Sequence, residues 1–182
     1  MRSPIRVSLA AIGVTPWIPL DYLAYFFNVG LYGSVSEDAN AITYSIEATP
    51  DNPNYIKGNN VVSLTRSTTT ATVTMANPHG LVTGDSAVIY NSGDPNLDGS
   101  QIITVTGLTT FTYTVANTGA TVGTAYTQAV LCRVFALAAG LTSQTGRANG
   151  VITEPCMAVR LHVTALTGGT AFLEVIQGLA RG

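Results

Sequence analysis

The feature that most constrains how this chain folds is the alternation of apolar and polar residues in several short segments. AITYSIEAT (41–49) and AVRLHVTAL (158–166) both show it. A period of two residues is that of a β-strand, in which successive side chains point to opposite faces. The pattern therefore predicts two strands that are each buried on one face only. In the later strand the predicted inward residues are Val159, Leu161 and Val163, and the predicted outward residues are Arg160, His162 and Thr164.

Clusters of glycine, proline, asparagine and aspartate separate the alternating segments. PDNPNYIKGNN (50–60) is predicted to be an exposed loop, because these residue types favour turns. Gly168 and Gly169 are predicted to close a hairpin between strand 158–166 and AFLEVIQG (171–178).

The N-terminal region carries proline and aromatic residues. Val7–Val14 is predicted to form the first strand, since the run is too short and lacks the cleavage pattern of a signal peptide. Residues 20–27 fit either a short helix or a strand and turn. No segment shows the 3.6-residue period of a long amphipathic helix, so the chain is predicted to be all-β.

The middle of the chain differs in composition from its two ends. Threonine and glycine dominate residues 61–127, where about five short strands alternate with turns. The simplest arrangement is an antiparallel β-sandwich formed by residues 1–60 and 128–182, with a small β-barrel or β-sandwich domain inserted at 61–127. Insertions are tolerated at exposed loops such as 50–60.

Charge is scarce throughout. Charged residues make up 10% of the chain and hydrophobic residues 46%, whereas an ordinary soluble domain has about 25% charged residues. A surface with so few charges indicates a protein that is buried in an assembly. The only lysine is Lys57 and no basic patch is visible, so direct nucleic-acid binding is not expected. No apolar run approaches the roughly 20 residues that span a bilayer, so no membrane partner is expected.

A stretch within the middle segment resembles half of a calcium loop. Asp94, Asn96, Asp98 and Gly99 fit the first half of an EF-hand, but the twelfth position, which needs a bidentate carboxylate, is Val105. We therefore predict a turn whose side chains hydrogen-bond their own backbone, and no metal site.

No set of residues has the spacing of a catalytic site. His79 is near Asp85 but has no nucleophile or second ligand beside it, so we predict a structural role in a turn. No nucleophile elbow or phosphate-binding loop is present. Cys132 and Cys156 are predicted to be free, buried thiols rather than a disulfide. The sequence thus predicts no catalytic residue, no cofactor and no enzymatic activity.

An aromatic cluster near the N-terminus leaves two interpretations open. It forms part of the core, or it forms an interface or sugar-binding platform. Its members are Trp17, Tyr22, Tyr25, Phe26, Phe27 and Tyr32.

Several of these segments resemble structural proteins of tailed-bacteriophage virions. The matching positions in the outer segments are WIPLD (17–21), FNVGL (27–31) and 160–178. Those in the middle segment are the H-G-L-x-x-G-D turn at 79–85 and T-F-T-Y-T-V at 110–115. The resemblance implies a capsid decoration protein or a head–tail or tail component, without enzymatic activity.

From this resemblance we expect a capsid decoration (cement) protein with a jelly-roll-like sandwich. Its partners would be the major capsid protein and copies of itself, and its place the capsid surface of a virion assembled in the host cytoplasm. The alternative is a tail or head–tail component whose middle domain adheres to glycans on the host surface. An enzyme such as a depolymerase is a third, weaker hypothesis.

Overall fold

The computed structural model describes residues 4–23, 27–54, 60–116, 121–122, 127–137 and 139–177. Backbone contacts divide the chain into a first unit, Met1–Pro50 with Phe135–Gly182, and a second unit, Asp51–Val134. Both consist of antiparallel β-sheets, so the all-β prediction is confirmed.

The first unit contains nine strands and a 3₁₀ turn at Ala139–Leu141 among the residues described. The strands are β1 (Ile5–Leu9), β2 (Gly13–Val14), β3 (Ile18–Pro19), β4 (Val29–Val35), β5 (Ile42–Thr49), β14 (Phe135–Ala136), β15 (Ala148–Ile152), β16 (Ala158–Leu166) and β17 (Ala171–Gln177). The second unit, within the described part of the chain, holds β6 (Val61–Ser67), β7 (Thr70–Met75), β8 (Ser86–Tyr90), β9 (Gly99–Ile102), β10 (Thr104–Val105), β11 (Thr110–Thr114), β12 (Thr121–Val122) and β13 (Gln128–Cys132).

Two sheets form the first unit. Sheet A has the order β1-β17-β4-β15, and sheet B has the order β14-β5-β16-β2, with β3 also paired to β16. Apolar side chains from both sheets join in one buried cluster, which gives the unit a sandwich-like architecture. The cluster includes Val29, Leu31, Tyr44, Ile46, Leu161 and Leu173.

The turn at Gly168 and Gly169 does not close a hairpin, so that prediction is wrong. The strand before it, β16, lies in sheet B, whereas the strand after it, β17, lies in sheet A. Gly169 has φ +87°, and a Cβ there would lie 2.7 Å from the Cα of Ala39. Glycine is required at this corner because the chain crosses from one sheet to the other against the backbone of the 36–41 segment.

The predicted first strand, Val7–Val14, is also divided between the sheets. Its first part lies in β1 of sheet A and its last part in β2 of sheet B, with a bend at residues 10–12. Of the segment 20–27, residues 24–26 lie outside the described residues, and residues 22–23 form a turn.

Strands β5 and β16 are buried on both faces, which corrects the prediction of half-buried strands. Arg160 is fully buried, and Glu47 and Ser45 on the same face of sheet B are buried as well. Trp17 contributes to this burial, because its ring lies 4.4 Å over the Arg160 guanidinium. The chain on either side of Trp17 pairs with β16 as the edge of sheet B, with backbone hydrogen bonds from Thr15 to Leu161 (2.9 Å) and from Leu20 to Met157 (2.9 Å).

The second unit is built from sheet C, with the order β10-β11-β7-β6-β12, and sheet D, with the order β13-β8-β9. Their apolar residues share a second core, in which Phe111, Tyr113 and Val115 are buried on one face as the alternation predicts. Residues 128–132, which the sequence assigned to the outer segments, form β13 and pair with β8 in this unit.

The two ends of the second unit are tied to each other. Arg133 donates from Nε and Nη2 to the two carboxylate oxygens of Asp51, at 3.0 and 2.8 Å, and its backbone N–H donates to Asp51 Oδ2 at 2.8 Å. This bidentate ion pair holds the first residue of the unit, Asp51, against Arg133 near its end.

Candidate functional site

The loop between β7 and β8 contains His79, for which the sequence predicts a structural role. Its Nδ1 accepts a hydrogen bond from the backbone N–H of Leu81 at 3.1 Å, so Nε2 carries the proton and donates to the carbonyl of Gly107 at 3.0 Å. The ring also meets the edge of Phe111, with the ring centroids 5.7 Å apart. Both nitrogens are therefore occupied in joining two loops, as the prediction of a structural turn histidine requires.

Asp85 closes the same loop. One carboxylate oxygen accepts from the N–H of Val82 at 2.9 Å, and the other accepts from the N–H of Val134 at 2.9 Å. Gly84, with φ +100°, lets its own N–H reach the carbonyl of Ile103. The H-G-L-x-x-G-D pattern is thus a set of backbone contacts that hold one loop against its neighbours.

This loop displays apolar side chains to solvent. Val82 is 67% exposed, and Leu108, on the turn that His79 binds, is 81% exposed. We call these two residues the apolar tip of the second unit. Because His79 hydrogen-bonds to Gly107 and its backbone N–H to Leu108 (3.1 Å), the two loops that carry the tip are fastened together.

The calcium-like stretch forms a hydrogen-bonded turn. Asp94 Oδ1 accepts from the backbone N–H of Asn96 at 3.0 Å and from its side-chain amide at 2.8 Å. Asp98 Oδ1 accepts from the N–H of Ser92 at 3.0 Å. The predicted side-chain-to-backbone bonding is therefore confirmed.

An ion pair joins this turn to sheet C. Arg66 Nη2 lies 3.1 Å from Asp94 Oδ2, and the Arg66 side chain is buried. Nearby, the hydroxyl of Tyr113 donates to the carbonyl of Leu97 at 2.9 Å. Burial, with a contribution from the Asp98 charge, raises the pKa of Tyr113. The acidic residues of the turn thus serve as internal partners, and no group of three His, Cys, Asp or Glu side chains in the described residues is placed to hold a metal ion.

A buried charge cluster in the first unit was missed by the sequence analysis. We define it as Glu47, Arg160, His162 and Trp17. Glu47 and Arg160 are direct cross-strand partners on β5 and β16. Glu47 Oε2 accepts from Arg160 Nε at 2.7 Å, and Glu47 Oε1 lies 2.7 Å from His162 Nδ1. The Arg160 guanidinium stacks over the Trp17 ring at 4.4 Å.

The electrostatics of the cluster favour the ionised carboxylate. Burial raises the pKa of Glu47, but the hydrogen bond from His162 and the charge of Arg160 together outweigh burial and place that pKa below its usual value. The arrangement is a desolvated ion pair that holds Trp17 over sheet B. A signal for it was present in the sequence: Arg160 and His162 share one strand face in a chain that is almost uncharged.

The remaining predicted residues are dispersed. Cys132 is buried in the second unit and Cys156 partly buried in the first, and the two do not form the disulfide that the sequence prediction rejected. Burial raises the pKa of Cys156 to about 11. Of the aromatic cluster, Trp17 and Phe27 are buried, while Tyr22 and Tyr32 are exposed; Tyr25, Phe26 and the single lysine, Lys57, lie outside the described residues.

No protein-family model, curated protein or solved structure matches this chain. In the part of the chain that the structure describes, no helix has the length and apolar character needed to cross a membrane.

Proposed function

We propose that this protein is a non-enzymatic structural protein of a tailed-phage virion, and that it decorates the capsid. The observation that carries the proposal is the strand order of the first unit. Counting β2 and β3 as one interrupted strand, the described part of the unit has eight strands, which we number in chain order. One sheet then has the order 1-8-3-6, and the other has the order 2-7-4-5.

This order supports a jelly roll, the eight-stranded double-sheet fold found in viral capsid and lectin domains. In such a fold the second unit would be an insertion in the connection between the fourth and fifth strands, since it begins after β5 and ends before β14. The fold class is common to many functions, so the assignment to a capsid also draws on the sequence resemblance.

The apolar, weakly charged surface supports the proposal that the protein is part of an assembly. Large apolar side chains are exposed on both units, while charged residues form only 10% of the chain. A lattice of neighbouring proteins would remove such side chains from water, at about 25 cal/mol for each Å² of apolar surface buried. The mechanism is mechanical: the protein binds the major capsid protein and adds contacts that the shell must break before it opens.

Quantitative mass spectrometry of purified virions tests the proposal. A decoration protein is present in a number of copies that follows the capsid lattice, in the hundreds. Particles that lack it are expected to release their DNA at lower temperature than complete particles. Equal thermal resistance of the two kinds of particle would exclude the stabilising role.

The apolar tip supports a second candidate, a tail or head–tail component whose second unit contacts the host surface. Val82 and Leu108 are displayed on loops that His79 holds in place, as a contact surface requires. A copy number of about six or twelve, set by the symmetry of the tail, together with loss of host adsorption in Leu108→Asp, would support this candidate over decoration.

A further inference from the structure

The outer face of sheet A carries an exposed tyrosine between two polar side chains. Tyr32 on β4, a member of the aromatic cluster, is 47% exposed, and its direct cross-strand partners are Glu174 on β17 and Asn149 on β15. Directly opposite side chains on one face of an antiparallel sheet have Cβ atoms about 5 Å apart. A carboxylate and a carboxamide therefore flank Tyr32 in one row across the sheet.

Gly30 determines where the Tyr32 ring lies. A Cβ at residue 30 would be 3.3 Å from Tyr32 Cε2 and 3.7 Å from Tyr32 Oη, so the ring leans along its own strand over the glycine. The ring is therefore held close to the sheet and does not extend into solvent. A side chain that is already held in place loses less conformational entropy when a ligand binds to it.

Two hollows adjoin this row and share Asn149. The first has a volume of about 310 Å³ and is lined by Tyr32, Ser34 and Arg147. The second has a volume of about 420 Å³ and extends along β15 to Glu154. Sites for small molecules have volumes of about 300–1,000 Å³, so each hollow is large enough to be one. We call the two hollows, together with Glu174, the sheet A site.

The polar side chains of the sheet A site are not used by the fold itself. The side chains of Asn149, Arg147 and Glu174 form no hydrogen bond or ion pair with any other residue that the structure describes. Several other carboxylates of the protein do have internal partners. They are those of Glu47, Asp51, Asp85, Asp94 and Asp98. In a chain with 10% charged residues, a group of uncommitted polar side chains around one exposed aromatic ring indicates a binding site.

These residue types match the chemistry of a sugar. A pyranose has a face of C–H groups, which packs against an aromatic ring, and a rim of hydroxyls, which both donate and accept hydrogen bonds. A carboxylate accepts from hydroxyls, an amide both donates and accepts, and a guanidinium donates. Glu174, Asn149 and Arg147 supply these three functions beside Tyr32.

The charges of the site favour an uncharged ligand. Among its described residues, Glu174 and Glu154 contribute two carboxylates and Arg147 one guanidinium. The site therefore lacks the basic excess with which proteins bind phosphates and nucleic acids. An apolar ligand would cover the same polar groups without giving them hydrogen-bond partners, which is unfavourable.

We propose that the sheet A site binds an uncharged oligosaccharide. One sugar unit packs against Tyr32 in the first hollow, and the following units lie along β15 in the second. The site is on the first unit and is separate from the apolar tip of the second. The inference goes beyond the proposed capsid role and does not rest on it.

An array of immobilised neutral and acidic glycans, probed with the purified full-length chain, tests the proposal. We expect the chain to bind neutral oligosaccharides, and isothermal titration calorimetry with the glycan bound best to give one site per chain. Binding to no glycan on the array, or to acidic glycans alone, would overturn the proposal.

Two substitutions test whether the sugar occupies this site. Tyr32→Ala should weaken binding by about tenfold because it removes the ring, and Asn149→Ala by about fivefold because it removes hydrogen bonds. The matched controls are Tyr22→Ala and Asn40→Ala, which change an exposed tyrosine and an exposed asparagine of the same unit and should bind like the wild type. Thermal unfolding of each variant checks that the first unit is folded.

Affinities of the site variants equal to those of their controls would place the sugar elsewhere and overturn the site. Asn149 is exposed on an edge strand, so Asn149→Ala decides the question if Tyr32→Ala does not fold. The capsid role is decided separately, by the presence of the protein on purified heads. A glycan-binding protein that is absent from heads would keep this site and remove the proposed function, and a head protein that binds no glycan would do the reverse.

Discussion

Replacing Glu47 with glutamine would test what holds the outer face of sheet B. The carboxylate lies 2.7 Å from Arg160 Nε and 2.7 Å from His162 Nδ1, and Arg160 is fully buried. Glutamine keeps the shape of the side chain but leaves the buried guanidinium without its counter-ion. Removing one partner from a buried ion pair costs about 3–5 kcal/mol, so we expect a loss of that size in the free energy of unfolding of the first unit.

Urea unfolding followed by tryptophan fluorescence measures this loss. Trp17 is the only tryptophan in the chain and stacks on Arg160 at 4.4 Å, so its emission reports on the first unit. With a slope of about 1.5 kcal/mol per M urea, the midpoint would fall by about 2–3 M. Glu37→Gln, the same chemical change at an exposed position of the same unit, is the control and should leave the midpoint unchanged. Equal midpoints for the two variants would refute the reasoning.

The same variant carries a pH dependence of defined sign. Because the folded-state pKa of Glu47 is lowered, its ionised form contributes stability above the unfolded-state value of about 4.3, and that contribution is lost as the pH falls through the folded-state pKa. The difference in midpoint between the wild type and Glu47→Gln should therefore be full near neutral pH and shrink in acid. A difference that persists in acid would assign the effect to lost packing and not to charge.

Three further predictions concern other parts of the chain. Gly169→Ala should destabilise the first unit by about 1–3 kcal/mol, because the positive φ and the contact with Ala39 both oppose a Cβ; Gly140→Ala, with open space around it, is the control, and similar melting temperatures would contradict this. His79→Ala should raise by about tenfold the hydrogen-exchange rate of the Leu81 amide, which donates to His79 Nδ1. An unchanged rate would show that His79 is not needed to hold this loop. Cys132 and Cys156 should resist iodoacetamide at neutral pH until the protein is unfolded, because one thiol is buried and burial raises the pKa of the other to about 11; rapid labelling of the native protein would count against both.

Local sequence patterns predicted the strands that local physics determines. The alternation at TFTYTV became β11 with Phe111 and Tyr113 in the core, and the turn at Asp94 formed the side-chain-to-backbone bonds that its residue types favour. The pairing of strands was beyond such patterns. Gly168 and Gly169 supply the backbone freedom for a reversal, but the same freedom serves a corner between two sheets, and only the wider packing decides between them.

Burial of the polar face of β16 has the same origin. A period of two assigns Arg160 and Leu161 to opposite faces, but it does not say whether a further segment covers the outer one. Here the Trp17 ring lies over that face at Arg160, and Arg160 is paired with Glu47, which is 113 positions away in sequence. Placing a charge on an alternating strand is inexpensive only where water or an opposite charge is available. In a chain with 10% charged residues, an arginine and a histidine two positions apart on one strand face therefore indicate a buried acidic partner and not a solvated surface. Glu47 is that acidic partner. It lies on the polar face of the other long alternating segment, directly across the sheet from Arg160.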